Sequence, residues 1–559
     1  MPGFNLADLF ERIADAVPER EAVVMSRAPG NNVTGSGAGN AGSHARRLTF
    51  AALDERANRL ANVLADLGIG RGDHIGLQLL NGSEYLEGML AAFKLSAVPI
   101  NVNFRYVASE LRHLYDDADL VAVVAHRQFA AAAAAAADES PAVKHLLVVD
   151  DDSGADVPPE AVDYEPALAD ASPARPDGSA RSGDDRYVAY TGGTTGLPKG
   201  VVWRQEDIFF AAMGGGDVFQ SGNFITTPEE IVERLPEVGA TILTTPPLMH
   251  VSAQWGVFSQ LFGGGRIVFP PQGPFDADTV WRLVAGEAVN ILTIVGDAMA
   301  RPLADALRRA ADAGTPYDVS SLIVIGSGGA VLSTAAKTAL AELLPNVMLV
   351  DGFGSSETGI VGNKLHAAGD TATSPRFTVN AQTNVLGDDG RPVEPGSGQI
   401  GRLARKGHVP LGYHKDEAKT KTTFVEVDGE RWVLPGDYAT VEADGTVVLL
   451  GRGSTSINTG GEKVYPEEVE TVLMTSPDVA DAVVVGLPDD RWGERVVAVV
   501  KPTAGAQPTL EALQEHVRAS LARFKAPREL VLVEEVQRTP AGKPDYRWAR
   551  ATAERNNPA

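Results

Sequence analysis

Residues 187–204, with the sequence YVAYTGGTTGLPKGVVWR, decide how the rest of the chain is interpreted. The flanks 187–190 and 201–203 are rich in β-branched and aromatic residues, which predicts two strands joined by a loop. Glycines in such a loop can take positive φ and bring backbone N–H groups close to an anion. The residues that we expect to hold phosphate are Thr191, Gly192, Gly193, Thr194, Thr195, Gly196 and Lys199.

The loop differs from a Walker A phosphate loop, because that motif needs Gly-Lys-Ser/Thr leading into a helix. Here Lys199 follows Pro198 and precedes Gly200, and the pattern after it predicts a strand. A Gly/Thr-rich surface hairpin without a ligand is the alternative interpretation of this stretch alone. Motifs elsewhere in the chain must therefore decide between a phosphate site and an ordinary turn.

The composition of the 559 residues limits the size, chemistry and partners of the protein. The length favours two or more domains. The net charge of −24 disfavours nucleic acid and anionic membranes as primary partners. The chain has no cysteine, which excludes disulfides, cysteine metal sites and a cysteine nucleophile. With no signal peptide and no apolar run of about eighteen residues, we expect a soluble, cytoplasmic protein without a transmembrane segment.

Strand and helix patterns alternate along the first half of the chain. Asn5 and Thr49 are expected to cap helices. Residues 74–80 and 98–102 have strand patterns on either side of a helical pattern at 82–95. A strand, a helix and a strand at this spacing form a βαβ unit, so a mostly parallel sheet is predicted.

Two further glycine-rich stretches follow strand patterns. SGGA at 327–330 comes after the pattern at 322–325, and DGFGSSETG at 351–359 comes after the pattern at 348–350. Ligands of open α/β sheets lie at the carboxyl ends of the strands, so we expect both stretches to face one cleft. One carboxylate, Glu357, together with phosphate oxygens would suit Mg²⁺, which takes few protein ligands. A plain turn with an incidental acid is the alternative.

Residues 438–450 are predicted to form a β-hairpin that turns at Asp444-Gly445. Asp437 precedes this hairpin and Arg452 follows it. A carboxylate can accept hydrogen bonds from both hydroxyls of a ribose, so Asp437 is a candidate nucleotide ligand. Without the neighbouring motifs, a solvated aspartate in a turn would be the default interpretation.

The segment 451–470, GRGSTSINTGGEKVYPEEVE, contains a glycine-rich loop and then a helix start. Pro466 suits the first turn of that helix, and the two glutamates after it suit the helix dipole. Later strand and helix patterns predict a small α/β domain. It ends in RTPAGKPD at 538–545, where Lys543 would ordinarily be a solvated residue of a turn.

The order of these motifs resembles that of the adenylate-forming superfamily, which includes acyl-CoA synthetases, adenylation domains and luciferases. The resemblance covers essentially the whole chain and implies an α/β fold in two domains. A large N-terminal domain, 1–452, would combine mixed and parallel sheets, helices and a β-rich portion. A small C-terminal α/β domain, 453–559, would be joined by a hinge at Ser454, where the family commonly has Asp or Lys.

The resemblance also implies roles for individual residues. Phe353 would stack on adenine, where many members have Tyr, and Ser356 would contact the α-phosphate, where Thr is usual. Glu357 would bind Mg²⁺, and both Lys199 and Lys543 would be catalytic, Lys543 as the adenylation lysine. The other nucleotide-binding residues that it implies are Gly328, Gly329, Ala330, Asp351, Gly352, Gly354, Ser355, Asp437 and Arg452.

His250 lies after a Pro-Pro break in the segment 241–255. A lone histidine is more often structural, but the family has an aromatic residue or histidine beside the carboxylate substrate at this place. The glycines at 214–216, together with Met249, Val251 and residues 328–330, indicate a roomy and mostly apolar acyl pocket, although a tight turn is the commoner use of three glycines. We therefore expect long aliphatic or bulky alicyclic acids to be preferred over acetate.

These expectations combine into an acyl-CoA ligase that uses ATP, Mg²⁺ and coenzyme A and forms an acyl-adenylate. GDAMARPL at 296–303, the segment around Ser454 and GKPDYRWA at 542–549 are similar to an actinobacterial branch that activates fatty acids and sterol side-chain acids. An acyl-AMP ligase that loads a carrier protein is one alternative, and a non-catalytic nucleotide-binding or scaffolding protein is another. Lys543 speaks against the latter, because a binding module has no need of it. A homodimer is left open.

Overall fold

The computed structural model describes residues 3–26, 45–177, 180–191, 198–217, 222–330, 332–366, 376–459, 462–489, 493–538 and 543–556. The chain divides into two compact units. The first comprises Met1–Ile294, Gly314–Ile325 and His408–Lys421, and the second comprises Val295–Ala313, Gly326–Gly407 and Thr422–Ala559. None of the helices within the described ranges combines the length and the apolar character that crossing a bilayer requires.

The α-helices are α1 (Leu6–Ala16), α2 (Phe50–Asp66), α3 (Ser83–Lys94), α4 (Ala108–Asp117), α5 (Ala130–Asp138), α6 (Tyr164–Asp170), α7 (Gln205–Ala212), α8 (Glu230–Glu233), α9 (Val251–Phe262), α10 (Ala277–Gly286), α11 (Gly296–Asp312), α12 (Thr334–Leu343), α13 (Glu417–Thr423), α14 (Pro466–Leu473), α15 (Leu510–Arg518) and α16 (Tyr546–Asn556). Short 3₁₀ helices span Arg127–Phe129, Gly453–Thr455 and Arg523–Lys525.

The strands up to the second glycine-rich stretch are β1 (Glu21–Ser26), β2 (Ala45–Thr49), β3 (His74–Gln78), β4 (Val98–Asn101), β5 (Leu120–His126), β6 (His145–Val149), β7 (Val162–Asp163), β8 (Arg186–Thr191), β9 (Lys199–Arg204), β10 (Thr241–Thr244), β11 (Arg266–Phe269), β12 (Ile291–Ile294) and β13 (Val324–Ser327). The later strands are β14 (Met348–Ser355), β15 (Gly359–His366), β16 (Arg376–Val379), β17 (Thr383–Leu386), β18 (Gly401–Lys406), β19 (Gly412–Tyr413), β20 (Phe424–Val427), β21 (Glu430–Val433), β22 (Asp437–Val441), β23 (Val447–Arg452), β24 (Ile457–Thr459), β25 (Glu462–Val464), β26 (Val479–Asp489), β27 (Gly493–Pro502) and β28 (Glu529–Leu532).

An eight-stranded sheet in the first unit carries the two strands predicted at 187–190 and 201–203. Its order is β19-β9-β8-β4-β3-β5-β6-β7. The pairs from β8 through β7 are parallel, whereas β8/β9 and β9/β19 are antiparallel. The strands β4, β5 and β6 are almost entirely buried, as expected for parallel strands with helices on both faces. The same unit also pairs strands in the order β2-β1-β11-β10-β12, which are parallel except for β1/β2.

A buried ionic cluster joins α1, α2 and α3 in the first unit. Lys94, whose side chain is fully buried, donates to Glu11 at 2.6 Å and to Asp54 at 2.7 Å. Arg181 donates to both carboxylate oxygens of Glu11, at 2.9 and 2.6 Å. Burial would raise the pKa of Glu11, but the contacts with Arg181 and Lys94 outweigh it and lower that pKa from 4.5 to about 2.

The second unit contains a mainly antiparallel sheet and a smaller sheet. The larger follows the order β13-β14-β15-β16-β23-β22-β18-β21-β20, with β17 also on β18. The smaller follows β25-β24-β27-β26, with β28 parallel to β27. Its β26/β27 ribbon has an apolar core on each face: α14 and α15 contribute to one, and α16 contributes to the other through Ala549 and Ala553. This small α/β arrangement follows the patterns read after residue 453.

Candidate active site

The quoted stretch forms the β8/β9 hairpin, in which Thr191 pairs with Lys199 at the end of the ladder next to the connecting loop. Five of the predicted phosphate ligands lie outside the described residues: Gly192, Gly193, Thr194, Thr195 and Gly196. Lys199 Nζ donates to Asp416 Oδ2 at 2.5 Å, and its side chain is 45 % exposed. The hydrogen bond from Lys199 is the main cause of the lowered pKa of Asp416. Asp416, which the sequence did not single out, thus holds the Lys199 side chain at the loop end of the hairpin.

The turn before α9 holds His250, which is the residue immediately N-terminal to the helix. Asn81 Nδ2 donates to Pro246 O at 2.9 Å, and Leu248 N donates to Asn81 Oδ1 at 2.7 Å. Gln254, one turn into α9, donates to Leu248 O at 2.8 Å. The amide side chains of the partly buried Asn81 and the buried Gln254 therefore fix the backbone that carries His250.

The three glycines expected to leave room in the acyl pocket are tightly packed instead. Gly214, Gly215 and Gly216 all have positive φ, at 88, 56 and 76°. A Cβ on Gly215 would lie 2.7 Å from the Phe224 ring, and one on Gly216 would lie 2.4 Å from Ile225. The expectation of open space was therefore wrong: the run is a tight left-handed turn whose side-chain positions are already filled.

In the second unit, the motif at 351–359 lies within a β-hairpin. We expected a strand only at 348–350, but β14 continues through Ser355, and the turn of the hairpin is limited to residues 356–358. The ladder shifts register at Phe353/Gly354, and a Cβ on Gly354 would lie 2.1 Å from Gly359 O. Glycine is needed there because the two strands approach too closely for a side chain.

The turn that carries Ser356 and Glu357 is closed by local hydrogen bonds. Ser355 N donates to Thr358 Oγ1 at 3.0 Å, and Thr358 N donates to Ser355 O at 3.1 Å. Glu357 is half-buried at the tip of the turn. Within the described ranges there is no group of three or more His, Asp or Glu side chains that could hold a metal ion. One carboxylate at the tip is nevertheless the donor set that fits Mg²⁺ when phosphate supplies the other oxygens.

Arg405, on β18, donates hydrogen bonds to the backbone of this turn from inside the protein. Its guanidinium donates to Thr358 O at 2.5 Å, to Ile360 O at 2.7 Å and to Gln382 Oε1 at 3.2 Å. The residue is 2 % exposed, and burial lowers its pKa from 12.5 to about 10. Arg405 could not be singled out from the sequence, because an arginine in a strand pattern carries no signal of which backbone it will contact.

The other predicted nucleotide ligands of the second unit lie around the same strands. Phe353 packs against Phe377 with ring centroids 5.1 Å apart. Asp351 forms an ion pair with Lys337 at 2.5 Å, and its Oδ2 lies 3.0 Å from His366 Nε2, so its carboxylate already has partners within the protein. The remaining predicted ligands beside them are Gly352 on β14 and Gly328, Gly329 and Ala330, which follow β13.

The predicted ribose contacts face each other at the open end of the β22/β23 hairpin. Asp437 pairs with Arg452 in the ladder, and Asp437 is 8 % exposed. Ser454 lies in the 3₁₀ helix Gly453–Thr455 directly after β23. The structure describes the backbone of Arg452 and Ser454 but not their side chains, so the ribose and hinge roles stay predictions.

The terminal lysine lies directly before a residue that pairs with Arg538. An isolated β-bridge pairs Arg538 with Pro544, and the exposed Lys543 precedes that proline. Arg538 forms two hydrogen bonds with the Asp481 carboxylate, at 3.0 and 2.6 Å. Three residues after Lys543, Tyr546 donates to Glu470 at 3.4 Å, and burial raises the pKa of Glu470. Residues 539–542 of the motif lie outside the described part of the chain.

Comparison with known proteins identifies the family. Residues 10–414 match the model of the AMP-binding enzyme family, and residues 468–543 match the model of the AMP-binding enzyme C-terminal domain. The chain is 46 % identical over 552 residues to the 3-oxocholest-4-en-26-oate–CoA ligase of Rhodococcus rhodochrous, with 98 % of this chain and 95 % of that one covered. It is also 46 % identical over 556 residues to the medium/long-chain-fatty-acid–CoA/3-oxocholest-4-en-26-oate–CoA ligase of Mycobacterium marinum, with 98 % and 96 % covered.

Among solved structures, ATP-bound MatB from Rhodopseudomonas palustris superimposes with a TM-score of 0.79 at 24 % identity, covering 98 % of this chain and 99 % of that one. The fold is therefore that of the adenylate-forming enzymes. The chain belongs to the AMP-binding enzyme family. The predicted α/β fold with a large N-terminal and a small C-terminal domain is confirmed, and so is the resemblance to actinobacterial CoA ligases. The boundary between residues 452 and 453 stays a prediction.

Proposed function

We propose that this protein is an AMP-forming acyl-CoA ligase that activates a hydrophobic carboxylic acid, either a long-chain fatty acid or a sterol side-chain acid. The similarity over nearly the full chain to CoA ligases named for such acids carries the proposal. The carboxylate oxygen attacks the α-phosphorus of ATP, and the bond to pyrophosphate breaks. The thiolate of coenzyme A then attacks the acyl carbon of the adenylate, and AMP leaves.

Neither step needs a nucleophile from the protein, so this chain contributes positioning and positive charge. Lys199, at the loop end of the β8/β9 hairpin, balances charge on the phosphates of ATP. Lys543 stabilises the charge that develops between the carboxylate and the α-phosphate. Glu357 would hold Mg²⁺, which would neutralise charge on the phosphate oxygens. His250 lines the site of the acid, Phe353 stacks on adenine, and these roles form part of the proposal.

A carboxylate panel tests the proposed function directly. Acetate, octanoate, palmitate and 3-oxocholest-4-en-26-oate would each be supplied with ATP and Mg²⁺, with and without coenzyme A, and without any carrier protein. Pyrophosphate release reports the first step, and mass spectrometry of the acyl-CoA reports the second. We expect the long-chain or the sterol acid to give the highest kcat/KM and to yield its CoA thioester.

Two outcomes would contradict the proposal. Release of pyrophosphate without any CoA thioester would favour an acyl-AMP ligase that loads a carrier. ATP binding by calorimetry without turnover of any acid in the panel would favour a nucleotide-binding protein. Acetate as the best substrate would refute the proposed substrate class but leave the reaction intact.

A further inference from the structure

Asn101, the last residue of β4, forms hydrogen bonds through both the oxygen and the nitrogen of its side-chain amide to the backbone of two other segments. Its Oδ1 accepts from Tyr190 N at 2.8 Å. Its Nδ2 donates to Tyr190 O at 2.7 Å and to Met249 O at 2.8 Å. Asn101 is 7 % exposed, so these hydrogen bonds are made away from bulk water.

The two segments that Asn101 joins are the ones that lead into the candidate ligands of the first unit. Tyr190 directly precedes Thr191, at the end of the strand that enters the phosphate hairpin. Met249 directly precedes His250. An asparagine amide has two N–H donors and one carbonyl acceptor, so it can hold both backbones in one fixed geometry. No other common side chain of this size offers both donors and the acceptor in a plane.

We propose that Asn101 is a positioning residue that couples the geometry of the ATP phosphate hairpin to that of the turn beside the acid. The inference rests on the proposed function, since that function assigns ATP to the hairpin and the acid to the turn. Removing the amide leaves buried backbone groups of both segments without one of their partners. Losing one partner of a buried hydrogen bond costs more free energy than losing both, because the remaining polar group is left unpaired. Both ligands should then bind less tightly, although Asn101 touches neither.

Asn81, in the connection between β3 and α3, provides a matched control. Its amide also bonds two backbone groups, but both belong to the His250 turn, at Pro246 and Leu248. Loss of Asn81 should therefore disturb the acid side alone. A general loss of stability would not separate the two variants in this way.

The test compares the full-length wild type with N101A and N81A. Calorimetry would measure the Kd of ATP with Mg²⁺ and, separately, the Kd of the best acid from the panel. For N101A we expect both Kd values to rise about tenfold, the size of one or two lost buried hydrogen bonds. For N81A we expect only the Kd of the acid to rise. An unchanged ATP affinity in folded N101A, or equal losses for both ligands in both variants, would overturn the coupling.

The near-isosteric N101D guards against an unfolded alanine variant. It keeps the acceptor for Tyr190 N but faces the carbonyls of Tyr190 and Met249 with an oxygen, so the same loss of affinity for both ATP and the acid is expected.

Hydrogen exchange by mass spectrometry supplies a readout that is independent of ligands. Exchange should accelerate at 187–191 and 247–250 in both Asn101 variants, and only at 247–250 in N81A. Acceleration at neither segment would refute the proposal. If the wild type binds no ATP, the proposed function fails, whereas the exchange pattern still tests whether Asn101 holds both backbone segments.

Discussion

Replacing Arg405 by Met tests whether the turn that carries Glu357 must be held from inside. The substitution keeps an unbranched side chain of similar reach in β18 but removes the donors to Thr358 O and Ile360 O. A buried carbonyl that loses its donor costs about 1–3 kcal/mol. Against this, the fall of the arginine pKa from 12.5 to about 10 corresponds to a cost of about 3 kcal/mol for keeping the charge buried.

The two terms nearly cancel in the free energy of unfolding, so we expect that of R405M to lie within about 2 kcal/mol of the wild-type value. They do not cancel for function, because the turn loses its fixed position whatever happens to the rest of the fold. If misplacement of the turn costs the same 1–3 kcal/mol in the transition state, adenylation falls roughly 5- to 150-fold. The apparent Mg²⁺ requirement should rise as well.

Acid-dependent pyrophosphate release over a Mg²⁺ titration, together with urea unfolding, measures both quantities. K406M is the control: Lys406 is the next residue on the same strand and forms a half-exposed ion pair with Glu430 at 2.7 Å, worth about 0–1 kcal/mol. It should leave adenylation unchanged. If R405M is folded and releases pyrophosphate at the wild-type rate and Mg²⁺ dependence, the turn does not depend on Arg405 and the reasoning fails.

Four other changes test the remaining parts of the site and the fold. Glu357→Gln should sharply lower pyrophosphate release while ATP binding suffers less, since it removes the proposed Mg²⁺ ligand; a wild-type rate would refute that role. Lys543→Ala should slow adenylation by about 10²–10³-fold yet convert supplied acyl-adenylate and coenzyme A at nearly the wild-type rate, because the lysine serves only the first step; equal loss of both half-reactions would contradict this. Asp416→Asn removes the competing partner of Lys199 and should tighten ATP binding by no more than about fivefold, as expected for a partly exposed ion pair; weaker binding would mean that the acid orients the lysine. The pKa of Glu11 is lower in the folded protein than in the unfolded chain, so its stabilisation of about 3 kcal/mol is complete above about pH 4.5 and is lost as the pH falls towards 2. Between about pH 5 and 3, the free energy of unfolding should therefore fall more for the wild type than for Glu11→Gln. Parallel pH curves for the two proteins would refute the lowered pKa.

Local signals in the sequence predicted the features that depend on local physics. Asn5 accepts from the N–H groups of Ala7 and Asp8, and Thr49 accepts from Ala52, as the capping pattern required. The β8/β9 hairpin and the hairpin that turns at Asp444-Gly445 also form where β-branched runs flank turn residues. Each of these elements is decided within a few residues of chain, so one sequence suffices.

Tertiary contacts decided what the sequence could not predict. The strand β14 runs through its glycines because β15 pairs with it as far as Ser355, and no local signal gives the length of a ladder. The glycines at 214–216 fill a tight turn because Phe224 and Ile225 pack on them from later in the chain. Asn101, Asp416 and Arg405 were missed for the same reason: their partners lie 89, 217 and 47 residues away.

The missed residues share a physical task that follows from what a phosphate or metal site requires. Segments that approach a charged ligand closely are built from glycine, serine and threonine, and such segments bury too little apolar surface to fix their own position. Hydrogen bonds from buried polar side chains can fix it instead, and Asn101 does so for the backbone at Tyr190, as Arg405 does for that at Thr358. Arg405 gives up the solvation of its charge to do so, hence its net effect on the free energy of unfolding is small. Its substitution should therefore cost more in catalysis than in stability, the reverse of what is expected for an apolar core residue.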